Sequence, residues 1–304
     1  MSEHEHRRGH SHAVSSDADL RWLGAALALN AGFMAVELVA GILASSLALL
    51  SDAAHMLTDA GAIALALLAA RLARRQAGGS MTYGFGRAEV LSAQLNGLTL
   101  VILSGFIVYE AIARLVSPPH VNGSLMLAIA LAGVAVNLGA ALVIARAERR
   151  SLNVEGALRH NLVDAYAAAG TAVAATVILV WGFQRADPIA SLLIALPMIV
   201  VGARLVKASA RVFLEAAPEG IDPQAIGFAM AAQVGVREVH DLHVWEVTTG
   251  FPALSAHLLV APELDCHALR RTVEAMLAER FAIEHTTLQV EHEPTQLLEI
   301  GSAG

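Results

Sequence analysis

Six apolar blocks dominate the first two-thirds of the chain, at roughly 20–43, 46–70, 90–115, 125–145, 156–181 and 189–206. Each is close to the roughly 20 apolar residues a helix needs to cross a bilayer, so the pattern predicts six transmembrane helices. The interruptions carry turn chemistry: Ala44-Ser45-Ser46, Ala77-Gly78-Gly79-Ser80, Ser117-Pro118-Pro119 and Ala186-Asp187-Pro188.

After about residue 213 the pattern shortens to that of a small soluble domain. A helix is expected over 222–232, with Asp222 at its N-cap and Pro223 in the first helical position. Alternation predicts strands at 239–248 and 253–260, joined by a Gly-containing turn, and at 287–291. Between the last two strands, 265–280 reads as an amphipathic helix. The order αββαβ suits an open sheet with helices on one face. The expected division is a His-rich tail at 1–19, a six-helix transmembrane domain at 20–212, a cytoplasmic domain at 213–295 and a flexible tail at 296–304.

Composition sharpens this reading. Hydrophobic residues make up 56% of the 304 and charged residues only 15%, well below the quarter common in soluble domains. The net charge of -7 gives no basic excess for nucleic acid. Cys266 is the single cysteine, so a metal must be held by His, Asp and Glu. The polar start shows no cleavable signal, so the first block is expected to remain as an anchor.

Basic residues alternate sides. Arg7, Arg8 and Arg21 lie at the first block, Arg71, Arg74, Arg75 and Arg87 between the second and third, and Arg146, Arg149, Arg150 and Arg159 between the fourth and fifth. Lys207 and Arg211 follow the sixth, whereas the other connections hold little more than Arg114 and Arg185. The positive-inside rule then puts both termini in the cytoplasm.

Charged and imidazole groups inside spans are costly and point to function. The second block contains His55 and Asp59, and the fifth opens with His160 and Asp164. These are the two occurrences of His-x-x-x-Asp in the chain, and both fall within predicted spans. The four-residue spacing stacks both side chains on one helix face. Two such faces turned together offer two imidazoles and two carboxylates, a full tetrahedral set whose charge balances a dication such as zinc. The bland alternative is that each pair satisfies itself inside the bundle. Two such pairs would incur desolvation without any functional return.

The residues Ser46 to Met56, SLALLSDAAHM, resemble the second-span signature of the cation diffusion facilitators. Tyr83-Gly84-Phe85-Gly86-Arg87-Ala88-Glu89 resembles that family's connector into the third span, and His240-Asp241-Leu242-His243-Val244-Trp245 is similar to a cytoplasmic strand of its zinc exporters. The resemblance implies a homodimer of six-span protomers in membrane lipid, a ferredoxin-like cytoplasmic domain, and exchange of metal for protons. It implies that His55, Asp59, His160 and Asp164 hold the transported ion. It favours a cytoplasmic site from His240, His257 and His267, helped by Glu291, His292 and Glu293. It also suggests that Arg87 and Glu215 form a charge contact between membrane helices and cytoplasmic domain. The family often has a further His near the position of Gly86, which this chain lacks.

Other polar residues are expected in supporting roles. Asp52 points off the ligand face and reads as a partner to the ligands or a helix-packing group. Glu37, Asn96 and Asn137 are candidates to line the pathway, with interhelical hydrogen bonding expected of the two asparagines. His240 and His243 should face opposite sides of one strand unless a bulge intervenes. His4, His6, His10 and His12 form a tract able to capture metal loosely.

Zinc must displace protons from its ligands, so the expected activity is metal/proton antiport, exporting metal across a bacterial inner membrane. Cadmium, cobalt or another divalent cation is the alternative cargo. An intramembrane zinc hydrolase would need an open coordination position and a general base, as in His-Glu-x-x-His, and the chain has no such motif. A metal-sensing receptor without transport is the other rival.

Overall fold

The computed structural model describes residues 17–145 and 152–293, with side chains from residue 28 onward in the first stretch and from 158 in the second. The His-rich tract, Arg146, Arg149, Arg150 and the C-terminal tail lie outside them. Six long helices come first: α1 (Asp17–Ala44), α2 (Leu47–Ala73), α3 (Arg87–Val116), α4 (Gly123–Ala145), α5 (Leu152–Trp181) and α6 (Ala186–Phe213). They correspond to the six apolar blocks, most of them running past the expected ends by a few residues. Five are long and apolar enough to cross a membrane, and the described side chains of α1 continue the pattern over Ala28–Ala44.

The chain forms two compact units, residues 1–61 with 99–202, and residues 62–98 with 203–304. In the first unit the polar groups are inside and large apolar groups outside. Glu37, Asp52, Ser104, Asn137, Asn161, Asp164 and Asp187 are all at least 97% buried, while Leu43, Ile102, Trp181 and Leu193 are at least 70% exposed. A helix bundle dissolved in lipid needs this arrangement, because hydrocarbon takes the apolar surface and only the bundle interior can satisfy polar groups. Small residues permit close approach: a side chain at Gly133 of α4 would meet Phe33 of α1 at 3.2 Å and Ala168 of α5 at 3.3 Å.

The turn between α1 and α2 is made by Ser45, with φ +56. The first turn of α2 then takes its partner from α6. Asp187 accepts hydrogen bonds from Ser46 Oγ at 2.6 Å, Leu47 N at 2.8 Å and Ala48 N at 3.1 Å. Free N–H groups and the positive end of the helix dipole favour a carboxylate at that place. Arg114 of α3 completes the cluster, donating to Ser45 O at 2.8 Å and lying 4.0 Å from Asp187.

In the second unit the soluble part runs α7 (Pro223–Ala231), β1 (Val236–Thr248), β2 (Phe251–Val260), α8 (Cys266–Phe281) and β3 (His285–His292). The αββαβ order is as expected. Asp222 caps α7 by accepting from Gln224 N at 2.9 Å, with Pro223 in the first turn. The sheet has β2 in the centre, antiparallel to β1 and parallel to β3. One face packs Leu254, Leu258 and Val260 on Ile226 and Met230 of α7 and Val273 and Leu277 of α8. On the other face lie the alternate residues of β2, Ser255, His257 and Leu259, none of which is buried.

Candidate metal centre

His55 and Asp59 sit one turn apart on α2, and His160 and Asp164 one turn apart on α5. Within the first unit these two faces meet. His55 Nε2 lies 3.6 Å from Asp59 Oδ2 and 3.9 Å from Asp164 Oδ1. His160 Nε2 lies 3.3 Å from Asp59 Oδ2 and 3.4 Å from Asp164 Oδ2. Each imidazole nitrogen is therefore shared between carboxylates of both helices. Zinc–ligand bonds of roughly 2.0–2.1 Å place neighbouring tetrahedral ligands about 3.4 Å apart, so these separations need little closing to hold such an ion. Asp59 Oδ2, Asp164 Oδ1 and His55 Nδ1 are buried without a hydrogen-bond partner, and the two carboxylate oxygens are unspent acceptors facing the imidazoles.

The backbone around the centre is pinned. Thr58 Oγ1 donates to His55 O at 2.7 Å, and Asn30 of α1 donates to Asn161 of α5 at 3.0 Å, next to His160. Asp52 is 2% exposed, and its Oδ1 is buried without a hydrogen-bond partner. Asn137 is 1% exposed and its Oδ1 has no partner, so that oxygen does not make the interhelical bond expected of it.

The soluble part holds a second group. One ligand atom each from His240, Asp241 and His257 lie within 4.8 Å of one another. A β-bulge builds this cluster: His240 pairs with His257 and His243 with Ser255, so three steps on β1 match two on β2. Asp241 takes the strained φ of +48 at the extra residue. The bulge also restores His243 to the same face as His240, against strict alternation.

The wider set expected there is not brought together within the chain. The strand register puts Gln289, not Glu291, beside His257, and Glu291 is paired with the Gln289 side chain. His292 Nε2 turns to Cys266 Sγ at 3.3 Å and Leu264 O at 3.0 Å. His267 stands in the first turn of α8, outside the cluster, and Glu293 bonds through its backbone to Val260 O. Asp241 is the member that sequence reasoning passed over, since only the bulge turns it toward the histidines.

Arg87 and Glu215 do meet, at 3.4 Å, but Arg87 makes its shorter bond through Nε to Val247 O at 2.9 Å. At neighbouring Gly86 a side chain would meet that of Thr248 at 3.0 Å, a close approach that Thr248 would have to relieve by shifting.

The cation efflux transmembrane domain profile matches residues 23–214, and the profile for the cytoplasmic domain of cation efflux proteins matches 218–293. The zinc transporter ZitB of Escherichia coli is 39% identical over 96% of this chain and 93% of its own. The cadmium, cobalt and zinc/H(+)-K(+) antiporter of Bacillus subtilis is 36% identical over 94% and 92%, and the metal cation efflux system protein CzcD of Cupriavidus metallidurans 36% over 95% and 91%. A solved metal-bound C-terminal domain of the CzcD transporter aligns with 23% of the chain at 30% identity and a TM-score of 0.23.

These long apolar helices and the matched domains are those of a multi-pass membrane transporter. The chain belongs to the cation efflux family, the cation diffusion facilitators.

Proposed function

We propose that this transporter exports zinc from the cytoplasm in exchange for protons, with His55, Asp59, His160 and Asp164 holding the ion in transit. The observation that carries the reading is the convergence of two His-x-x-x-Asp faces from α2 and α5 on shared imidazole–carboxylate distances of 3.3–3.9 Å. Two imidazoles and two carboxylates suit a four-coordinate, borderline-soft dication. The names of the relatives, which include zinc, cadmium and cobalt transport and proton antiport, point the same way.

Coupling follows from the ligands. Carboxylates and imidazoles bind metal only when deprotonated, so loading from the cytoplasm expels protons, and protons arriving from the far side compete the metal off. The basic connectors place both termini in the cytoplasm, and with them the domain at 213–295. A bacterial inner membrane is the setting, with the chain acting as a homodimer. The His240, Asp241 and His257 cluster serves as an accessory cation site in that domain. Zinc flux into sealed proteoliposomes under an imposed pH gradient tests the function. Zinc binding without flux would return the protein to the sensor class.

A further inference from the structure

The end of α2 carries one stripe of exposed residues: Ala64, Leu67, Leu68, Arg71, Arg74 and Arg75. Spacings of three and four put all six on one helix face. The turn continues past Ala73, with Arg74 N donating to Ala70 O and Arg75 N to Leu72 O. The stripe changes character along its length. Leu67 and Leu68 are 59% and 55% exposed on a helix apolar enough to cross a membrane, so this face meets lipid tails. One turn further on the same face is wholly cationic.

The three guanidinium groups have no protein partner. Among the described residues their side chains make no hydrogen bond or ion pair, whereas Arg87, Arg114 and Arg211 all bond to backbone carbonyls. A cation in the last turn suits the helix dipole, but one serves that purpose and three repel one another. A second copy packed about a two-fold axis along the stripe would set its own three arginines against these. Lipid phosphates meet the requirement. They lie where the hydrocarbon ends, carry the opposite charge, and offer paired oxygens that match the guanidinium fork.

We propose that this end of α2 is a docking surface for anionic phospholipid, with Arg71, Arg74 and Arg75 holding the headgroup while its acyl chains run along Leu67 and Leu68. Zwitterionic headgroups also contain phosphate, but their own ammonium group offsets its charge. The surface therefore selects lipids of net negative charge, such as phosphatidylglycerol. The same helix carries His55 and Asp59, so the bound lipid anchors one wall of the metal centre. The docking does not depend on which ion that centre carries.

The test uses the full-length protein with Cys266→Ser and Leu68→Cys, a fluorophore on the new thiol, in phosphatidylcholine vesicles. Small amounts of nitroxide-labelled phosphatidylglycerol or phosphatidylcholine are added as quenchers. The anionic quencher should act at a roughly fivefold lower mole fraction, the gain expected from about one basic residue beside an anionic headgroup. Added salt should shrink that difference. Arg71→Gln, Arg74→Gln and Arg75→Gln together should bring the two quenchers level, whereas lysine at all three positions, which keeps the charge, should keep a reduced preference. Equal quenching by both lipids with the arginines in place, or an undiminished preference in the triple Gln variant, overturns the proposal. So does an absence of quenching by either lipid, since a protein surface would then cover the stripe. If the triple Gln variant does not insert, the three single Gln variants decide, and each should lose part of the preference.

Discussion

Asp187 at the start of α6 accepts a hydrogen bond from Ser46 Oγ at 2.6 Å, across 141 residues of chain. With the bonds from Leu47 N and Ala48 N, this single fully buried carboxylate fixes the first turn of the helix that carries His55 and Asp59. Hydrogen bonds to a charged group contribute roughly 1.5–3 kcal/mol each, and the donors left behind would be buried. Asp187→Ala should therefore lower stability by on the order of 3 kcal/mol, and Ser46→Ala by about 1 kcal/mol. Thermal unfolding of the detergent-solubilised protein reads both. Equal midpoints for Asp187→Ala and wild type would show that the contact holds nothing.

That contact also marks where the sequence stopped informing. The six spans were legible because lipid imposes one requirement, a long apolar run, on every one of them. The two His-x-x-x-Asp faces were legible because a spacing of four is a local property of one helix. Asp222 as a cap was legible for the same reason, since cap and helix are neighbours in the chain. Asp187 read only as a turn residue beside Pro188, because its partners come from a helix far earlier. The cluster of His240, Asp241 and His257 depends on a bulge, and one extra residue in a strand reverses every facing that alternation predicts.

The proposed cargo site makes the most direct claim on transport. His55→Ala, Asp59→Ala, His160→Ala and Asp164→Ala should each abolish zinc flux while leaving a folded, inserted protein. Asp164, the most buried of the four, should be the least tolerant of replacement by a larger side chain. Near-normal flux in Asp59→Ala or Asp164→Ala would sink the assignment.

Arg87 separates two contacts that the sequence presented as one. Its pair with Glu215 is 43% and 62% exposed, a setting in which ion pairs contribute about 0–1 kcal/mol. The bond from Nε to Val247 O does not depend on Glu215. Glu215→Gln should then transport nearly as wild type, whereas Arg87→Ala, which loses both contacts, should slow transport. If both variants match wild type, neither contact has a mechanical role.

Asp265 gives the soluble part a defined acid response. It accepts from the backbone N–H of His267 and Ala268 at 2.9 and 3.1 Å, and these bonds hold its carboxyl below the usual range. A depressed folded value means the stabilising contribution is present above the unfolded value of about 3.9 and is lost as pH falls through the folded one. Amide exchange at the first turn of α8 should therefore speed up in acid in the wild type. Asp265→Asn should exchange at a rate that no longer depends on this titration, and identical acid profiles would refute the cap's role.

Metal choice is the sharpest test of what the two imidazoles do. Zinc accepts four N and O ligands in a tetrahedron, and cadmium or cobalt tolerates the same set, whereas manganese and magnesium favour six oxygens in an octahedron. Raw affinity would favour copper(II) at almost any such site, so discrimination has to rest on geometry and on which metal the cell offers. Replacing an imidazole by a carboxylate hardens the site and adds a negative charge beside Asp59 and Asp164. His160 is nearer to both carboxylates than His55 is, at 3.3 and 3.4 Å against 3.6 and 3.9 Å. His160→Asp should thus strain the empty site more, and lose zinc transport more, than His55→Asp. In both variants the ratio of manganese or cadmium flux to zinc flux should rise, read by competitive uptake into proteoliposomes. A wild type that prefers manganese, or two variants with the wild-type ratio, would mean that these histidines do not set specificity.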